Sequence, residues 1–395
     1  MFLDLLRRRN PALIDAAITL HQQGQLPANT YVLDLDAITA NARSLSTEAT
    51  RLGLTPFAMT KQIGRNPDAC RAITAGGIQA SVAVDMECAR ATTRAGMRLG
   101  HLGHLVQVPR AEAGAAAAMH PDYWTVFNHD KAREAAKAAA ATGRDQSLLA
   151  RVHAEGDEFY SGHEGGFSAG DVLAVADQFD ALGSAHFAGI TTFPALLFDR
   201  DSRTVRRTHN LTTLEKTANR LRDHGRTDIQ INAPGTTSTE TLAALASAGA
   251  TQVEPGHALT GTTPWHAVSD LPELPAVCYL SEVSHHHGGR AYCFGGGMYV
   301  DPVFPPYQVQ AAVGHDPDGA TLLDATLPPA QAIDYYGQLH PTGHAPEIGA
   351  SVVFGFRIQA FVTRAYTAGI TGLSTGTPRV AGIWSADGSA TSWPA

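Results

Sequence analysis

From Tyr31 onward, short apolar runs rich in β-branched residues alternate with longer, alanine-rich stretches of helical period. YVLDLDAI (31–38) predicts a first strand, with a helix near 39–52. PFAMTK (56–61), QASVAV (79–84), LGHLVQV (102–108), YWTVFN (123–128), LLARVH (148–153), FAGITTF (187–193), DIQINA (228–233) and TQVEP (251–255) predict eight more. Helices are expected between them, at 85–96, 130–142, 169–182, 203–224 and 238–248. Such alternation implies parallel strands joined by crossover helices. Eight βα units in roughly 200 residues match an α/β (β/α)8 TIM barrel. A doubly wound open sheet shares the local pattern, and the barrel is the favoured reading. After Gly261 the helical period fades, and GGR, GGG, PPY and DPDG punctuate β-rich runs such as AVCYLSEVS, ASVVFGFRIQAFVTR and RVAGIW. This texture predicts a C-terminal all-β domain. The expected division is an N-terminal helix over 1–30, the barrel over 31–262 and the β domain over 263–395.

The 395 residues, 44% hydrophobic and 17% charged, suffice for two separate cores. The formal charge of −8 and the scattered Lys and Arg exclude a polybasic nucleic-acid or membrane surface, so a small-molecule substrate is expected. No apolar run approaches the roughly 18 residues of a membrane span. Arg7, Arg8 and Arg9 follow the first apolar stretch, the reverse of a secretory signal, and Asn10-Pro11 predicts a helix start over 11–23. Cys70, Cys88, Cys278 and Cys293 show no CxxC spacing, so a reducing cytoplasm is the expected setting.

In a barrel the reactive groups gather at the C-terminal strand ends. Those ends carry Lys61, Asp85, Gln107, Asn128, His153, Thr191, Thr192, Asn232 and Glu254. A lysine leaving a buried strand is partly desolvated, which favours the nucleophilic neutral amine; it can equally be a surface lysine with a buried stem. Asn232-Ala-Pro-Gly235-Thr236-Thr237-Ser238 brings hydroxyls and N–H groups to a helix start, either as an anion cradle or as a plain N-cap. Glu254 begins the Glu-Pro-Gly256-His257 turn, as a partner for a ring nitrogen or as a structural carboxylate. His285-His286-His287 with Cys293 is the one hint of zinc, but adjacent strand residues face opposite ways, so no metal is expected.

These motifs resemble the alanine-racemase-type (fold type III) pyridoxal 5′-phosphate (PLP) enzymes. YVLDLDAITAN followed by PFAMTKQIGRNP resembles their opening, GGIQASVAVDMECARATTRAG their second βα unit, HFAGITTFP the sixth and VEPGHALTG the eighth. TKQIGRNP, GHLVQVP, EPGHALTGT, LSEVSHHH, FRIQAFVTR and SWPA are similar to the YhfX-like group of bacterial alanine-racemase homologues, over nearly the whole chain. The resemblance implies PLP as cofactor, Lys61 as the Schiff-base lysine, and Gly235, Thr236, Thr237, Ser238 and Gly256 around the phosphate, with Asn232 and Thr192 beside the cofactor. It also implies a homodimer in which one subunit's β domain completes the other's site.

The departures bear on the reaction. Alanine racemases carry arginine where Glu254 stands, a histidine where Thr192 follows Gly-Ile-Thr, and a catalytic tyrosine where Phe294 stands. Phenylalanine cannot move a proton, so Tyr292, Cys293, Tyr299 or His285 would have to substitute. The first expectation is an amino-acid racemase with Lys61 on one face of Cα and Tyr292 or Cys293 on the other. Arg357 is the candidate for the substrate carboxylate, or else a structural ion-pair partner. The second is a decarboxylase, β-eliminating lyase or aldolase, which Glu254 favours. The third is a PLP-binding protein without catalysis.

Overall fold

The computed structural model describes residues 1–300, 307–329 and 331–393. They fall into two compact units that are not contiguous in sequence: residues 43–60 with 77–256, and residues 1–42 with 61–76 and 257–395.

The first unit is a closed barrel. Its parallel strands run Thr55–Met59, Ala80–Ala83, Arg98–Leu102, Tyr123–Val126, Gln146–His153, Ala185–Thr191, Gln230–Asn232 and Gln252–Val253, and the last pairs with the first. Eight strands were expected, and the closed ring decides for the barrel over an open sheet. The third strand is the one misplaced by the pattern. LGHLVQV alternates convincingly, but Gly103 has φ +78° and packs so closely on the Thr125 carbonyl that a Cβ would stand 2.9 Å from it. The chain therefore turns after Leu102, and the strand lies earlier, at Arg98–Leu102.

Two residues assigned to the polar ring by strand-end logic are helix caps instead. Asp85 accepts from the Cys88 N–H (2.7 Å) and Asn128 from the Lys131 N–H (2.9 Å), at the starts of Met86–Arg94 and His129–Ala141. Gln107 braces a loop, accepting from the Phe127 N–H at 3.0 Å and donating to the Thr125 carbonyl at 3.2 Å.

The second unit is built on a mainly antiparallel sheet of nine strands. Six of them close a ring in the order Arg290–Phe294, Tyr336–His340, Thr321–Thr326, Val309–Gly314, Ser351–Phe354 and Val277–His287. The strand Thr30–Asp34 extends it, antiparallel to Val277–His287 and parallel to Tyr366–Thr371, with Arg379–Trp384 at the edge. The strand expected to open a 31–262 barrel domain thus sits in this sheet, fully buried along its length. Helices Phe2–Arg9 and Pro11–Gln22 precede it, and Leu13, Ile14, Ala17 and Ile18 share an apolar cluster with Val32, Leu280, Val353 and Ile370. Pro11 takes the first helical turn as expected, but the Asn10 side chain donates to Asp34 (2.8 Å) and the Pro275 carbonyl (3.0 Å) rather than capping. No helix among the described residues is long and apolar enough to cross a membrane.

Candidate functional site

Within the barrel, interior positions near the C-terminal strand ends are polar and tied together. Glu254 follows the eighth strand and is 5% exposed. Its Oε1 accepts from His101 Nδ1 at 2.6 Å and from Asn232 Nδ2 at 3.0 Å, and Asn232 Oδ1 accepts from the Thr191 hydroxyl at 2.7 Å. The far nitrogen of His101 meets the Thr125 hydroxyl at 2.5 Å. Burial works to raise the Glu254 pKa, but the charges of His104 and His101 and the bonds from His101 and Asn232 outweigh it and hold it below the usual carboxylate value. An ionised carboxylate only accepts, so His101 carries its proton on Nδ1. Glu254 Oε2 stands 3.4 Å from His104 Nε2 and accepts no hydrogen bond among the described residues. A buried carboxylate oxygen left open in this way fits a protonated ring nitrogen. The His101, His104 and Glu254 ligand atoms lie within 4.8 Å of one another, a spacing that suits a cation, but both His101 nitrogens are already engaged.

The expected anion loop is a tight backbone structure. A Cβ on Gly235 would lie 2.6 Å from the Leu196 nitrogen, so only glycine lets the two segments approach, and the Thr236 N–H donates to the Leu196 carbonyl at 3.1 Å. Ser238 is the N-cap of Thr239–Ser247, and its N–H donates to Thr241 Oγ1 at 2.8 Å. Thr237 and Ser238 are buried, as is Thr192, which follows the sixth strand. The structure brings Asn232 and Glu254 into direct contact, while Gly235, Thr236, Thr237 and Ser238 form the next turn.

The other unit holds Lys61, His257 and Arg357. Lys61 lies two residues beyond the strand Thr55–Met59, and its Nζ is 5.0 Å from the Phe361 ring centroid. His257 Nε2 donates to the Ile358 carbonyl at 3.0 Å, and its Nδ1 accepts from Arg357 Nη2 at 3.2 Å. Burial, with the charges of Arg357 and Lys61, pushes the His257 pKa well down, so the imidazole is neutral. Arg357 thus leans, at this contact, on a neutral histidine.

Tyr292 and Cys293 are neighbours on the strand Arg290–Phe294 and therefore face opposite sides of it. Cys293 is wholly buried, and burial pushes its thiol up to about 12. Tyr292 stacks on His285, with centroids 4.7 Å apart and planes 10° from parallel. His286 Nε2 donates to the Pro346 carbonyl at 2.8 Å, and the His285–His287 run forms no ligand cluster with Cys293 among the described residues. His101 and His104 were missed because the third strand was set too late; the doubled histidine of HLGH was the signal.

Residues 33–264 match the family model described as alanine racemase, N-terminal domain, and residues 278–380 match the YhfX-like C-terminal domain. The chain is 40% identical over 384 residues to the "Uncharacterized protein YhfX" of Escherichia coli (strain K12), covering 97% of each. Among solved structures it is similar to D-threonine aldolase from Filomicrobium marinum (TM-score 0.68, 16% identity, 92% and 96% of the two chains). It is also similar to D-threo-3-hydroxyaspartate dehydratase from Delftia sp. HT23 (0.67, 16%, 92% and 98%) and alanine racemase from Corynebacterium glutamicum (0.61, 18%, 83% and 90%).

Proposed function

We propose that this chain, which belongs to the alanine racemase N-terminal domain family and uses pyridoxal 5′-phosphate, is a lyase that breaks a bond at the Cα of an amino acid. The observation that carries the reading is Glu254, ionised and buried with one oxygen open. When bound, the cofactor accepts the electron pair left at Cα, and it does so best with its ring nitrogen protonated. Glu254 would hold that proton, and His101 and Asn232 fix the carboxylate so that its open oxygen is the one presented. Lys61 would hold the cofactor and move the proton at Cα. Gly235, Thr236, Thr237, Ser238 and Gly256 would hold the phosphate, with Asn232 and Thr192 beside the cofactor, and Arg357 would bind the substrate carboxylate.

Racemisation needs a second proton-moving group for the opposite face. Cys293 is too buried and too weak an acid to supply a thiolate base. Racemisation remains the second reading because Tyr292 is available, stacked on His285. The names of the aldolase and dehydratase, both similar over 92% of this chain, support the lyase. A homodimer with shared active sites belongs to the same proposal. Incubation of the holoenzyme with single L- and D-amino acids in deuterated water tests it. We expect release of aldehyde, ammonia or CO2; deuterium at Cα with the skeleton intact and the enantiomers scrambled would make it a racemase.

A further inference from the structure

Arg151 lies on the barrel strand Gln146–His153 and is 1% exposed. Leu148, Ala150 and Val152 of that strand join the apolar cluster containing Val172, Val175 and Phe179 of the helix Val172–Asp180. Side chains alternate along a strand, so position 151 faces the barrel interior. It stands in register with Thr191, whose hydroxyl leads through Asn232 to Glu254. The guanidinium lies 4.7 Å from the Phe127 ring centroid and 5.8 Å from that of Phe159, and its Nη2 donates to the His163 carbonyl at 2.6 Å. Among the described residues, Nε and Nη1 have no hydrogen-bond partner. Burial pushes its pKa down to about 10, against the opposing charge of Glu164, and leaves it charged at neutral pH.

A buried cation with open donors is costly unless an anion completes it. Strand, helix packing and two aromatic rings nevertheless hold this one in place, on the interior face that carries Glu254. We infer that Arg151 is a substrate-recognition residue that binds a side-chain carboxylate of the amino acid inside the barrel, apart from the α-carboxylate given to Arg357. The inference rests on the proposed function and extends it, because it makes a second carboxylate a requirement of the substrate. A guanidinium suits that group, since its planar fork matches two carboxylate oxygens and ring stacking fixes its plane.

Acetate and malonate serve as probes, titrated into the PLP-loaded protein by calorimetry, with cofactor content read separately from the visible absorption. We expect wild-type protein to bind the probes and Arg151→Met to weaken them roughly tenfold or more with cofactor content unchanged. Arg151→Lys, which keeps the charge and loses the fork, should fall between the two, and it decides the matter if the methionine variant does not fold. Probe binding absent from the wild type, or equal in the wild type and both variants, overturns the inference. Loss of cofactor in place of probe affinity also overturns it, since the anion would then belong to the cofactor. A wild-type protein that takes up no PLP sinks the lyase instead, and calorimetry with acetate on that same protein still decides for or against Arg151.

Discussion

Two buried titratable groups, Glu254 in the barrel and His257 in the other unit, are driven to opposite charge states. In the barrel, Glu254 is an anion ringed by donors, with His101 and Asn232 on one oxygen and His104 near the other. In the second unit, Lys61 and Arg357 act on His257, a histidine stripped of its own charge. The barrel carboxylate is held by donors from two strands, His101 and Asn232, so it reports on the closure of the barrel. Changes at the His257–Arg357 contact should act more on binding than on stability.

The largest expected effect is at the anionic centre. Glu254→Ala leaves His101 and Asn232 without their buried acceptor and should cost about 3–5 kcal/mol, measured by denaturant unfolding. Glu254→Gln keeps the shape and removes the charge, and turnover should fall roughly 100-fold or more while the cofactor still binds. Next is His101→Gln. It removes the Nδ1 donor and should cost about 1–3 kcal/mol with a smaller loss of turnover. If His101→Gln cost as much stability as Glu254→Ala, the carboxylate would not be the keystone of the barrel.

At the cationic centre, Arg357→Lys should raise KM several-fold while changing kcat little, because the fork is lost and the charge is kept. An equal fall in both kcat and kcat/KM would assign Arg357 to the chemical step. The pH dependence is a finer test. His257 resists protonation in the folded protein but takes a proton near pH 6.5 when unfolded, so its share of stability is present above that pH and is lost as pH falls below it. His21, whose pKa burial also lowers, contributes in the same sense. His257→Gln should flatten the slope of unfolding free energy below pH 6.5 without removing it. The smallest effect expected is Cys293→Ala. It should leave turnover within about twofold, at a cost of roughly 1 kcal/mol for the lost buried sulfur.

Much of the barrel was legible because each strand is a short apolar run between turn residues, and Glu254, Asn232 and Gly235 fell at its strand ends. Three kinds of information were not. Asp85 and Asn128 look the same in sequence whether they line a mouth or cap a helix, because both roles put a short polar residue just after a strand. His101 was hidden by alternation that runs on past Gly103, where only the backbone conformation shows that the strand has ended. The place of Thr30–Asp34 depends on pairing with residues near 280 and 370, and no local pattern encodes pairing at that distance. Arg151 was passed over for a related reason: in LLARVH it reads as a polar residue on a solvated face, while the barrel turns that face inward.

The most direct measurement is borohydride reduction of the PLP-loaded protein, followed by peptide mapping in a mass spectrometer. The account predicts that the reduced cofactor is attached to the peptide containing Lys61 and that Lys61→Ala abolishes both the label and the yellow colour. Label on Lys131, Lys137 or Lys216, or protein that stays colourless and unlabelled in excess cofactor, would contradict it.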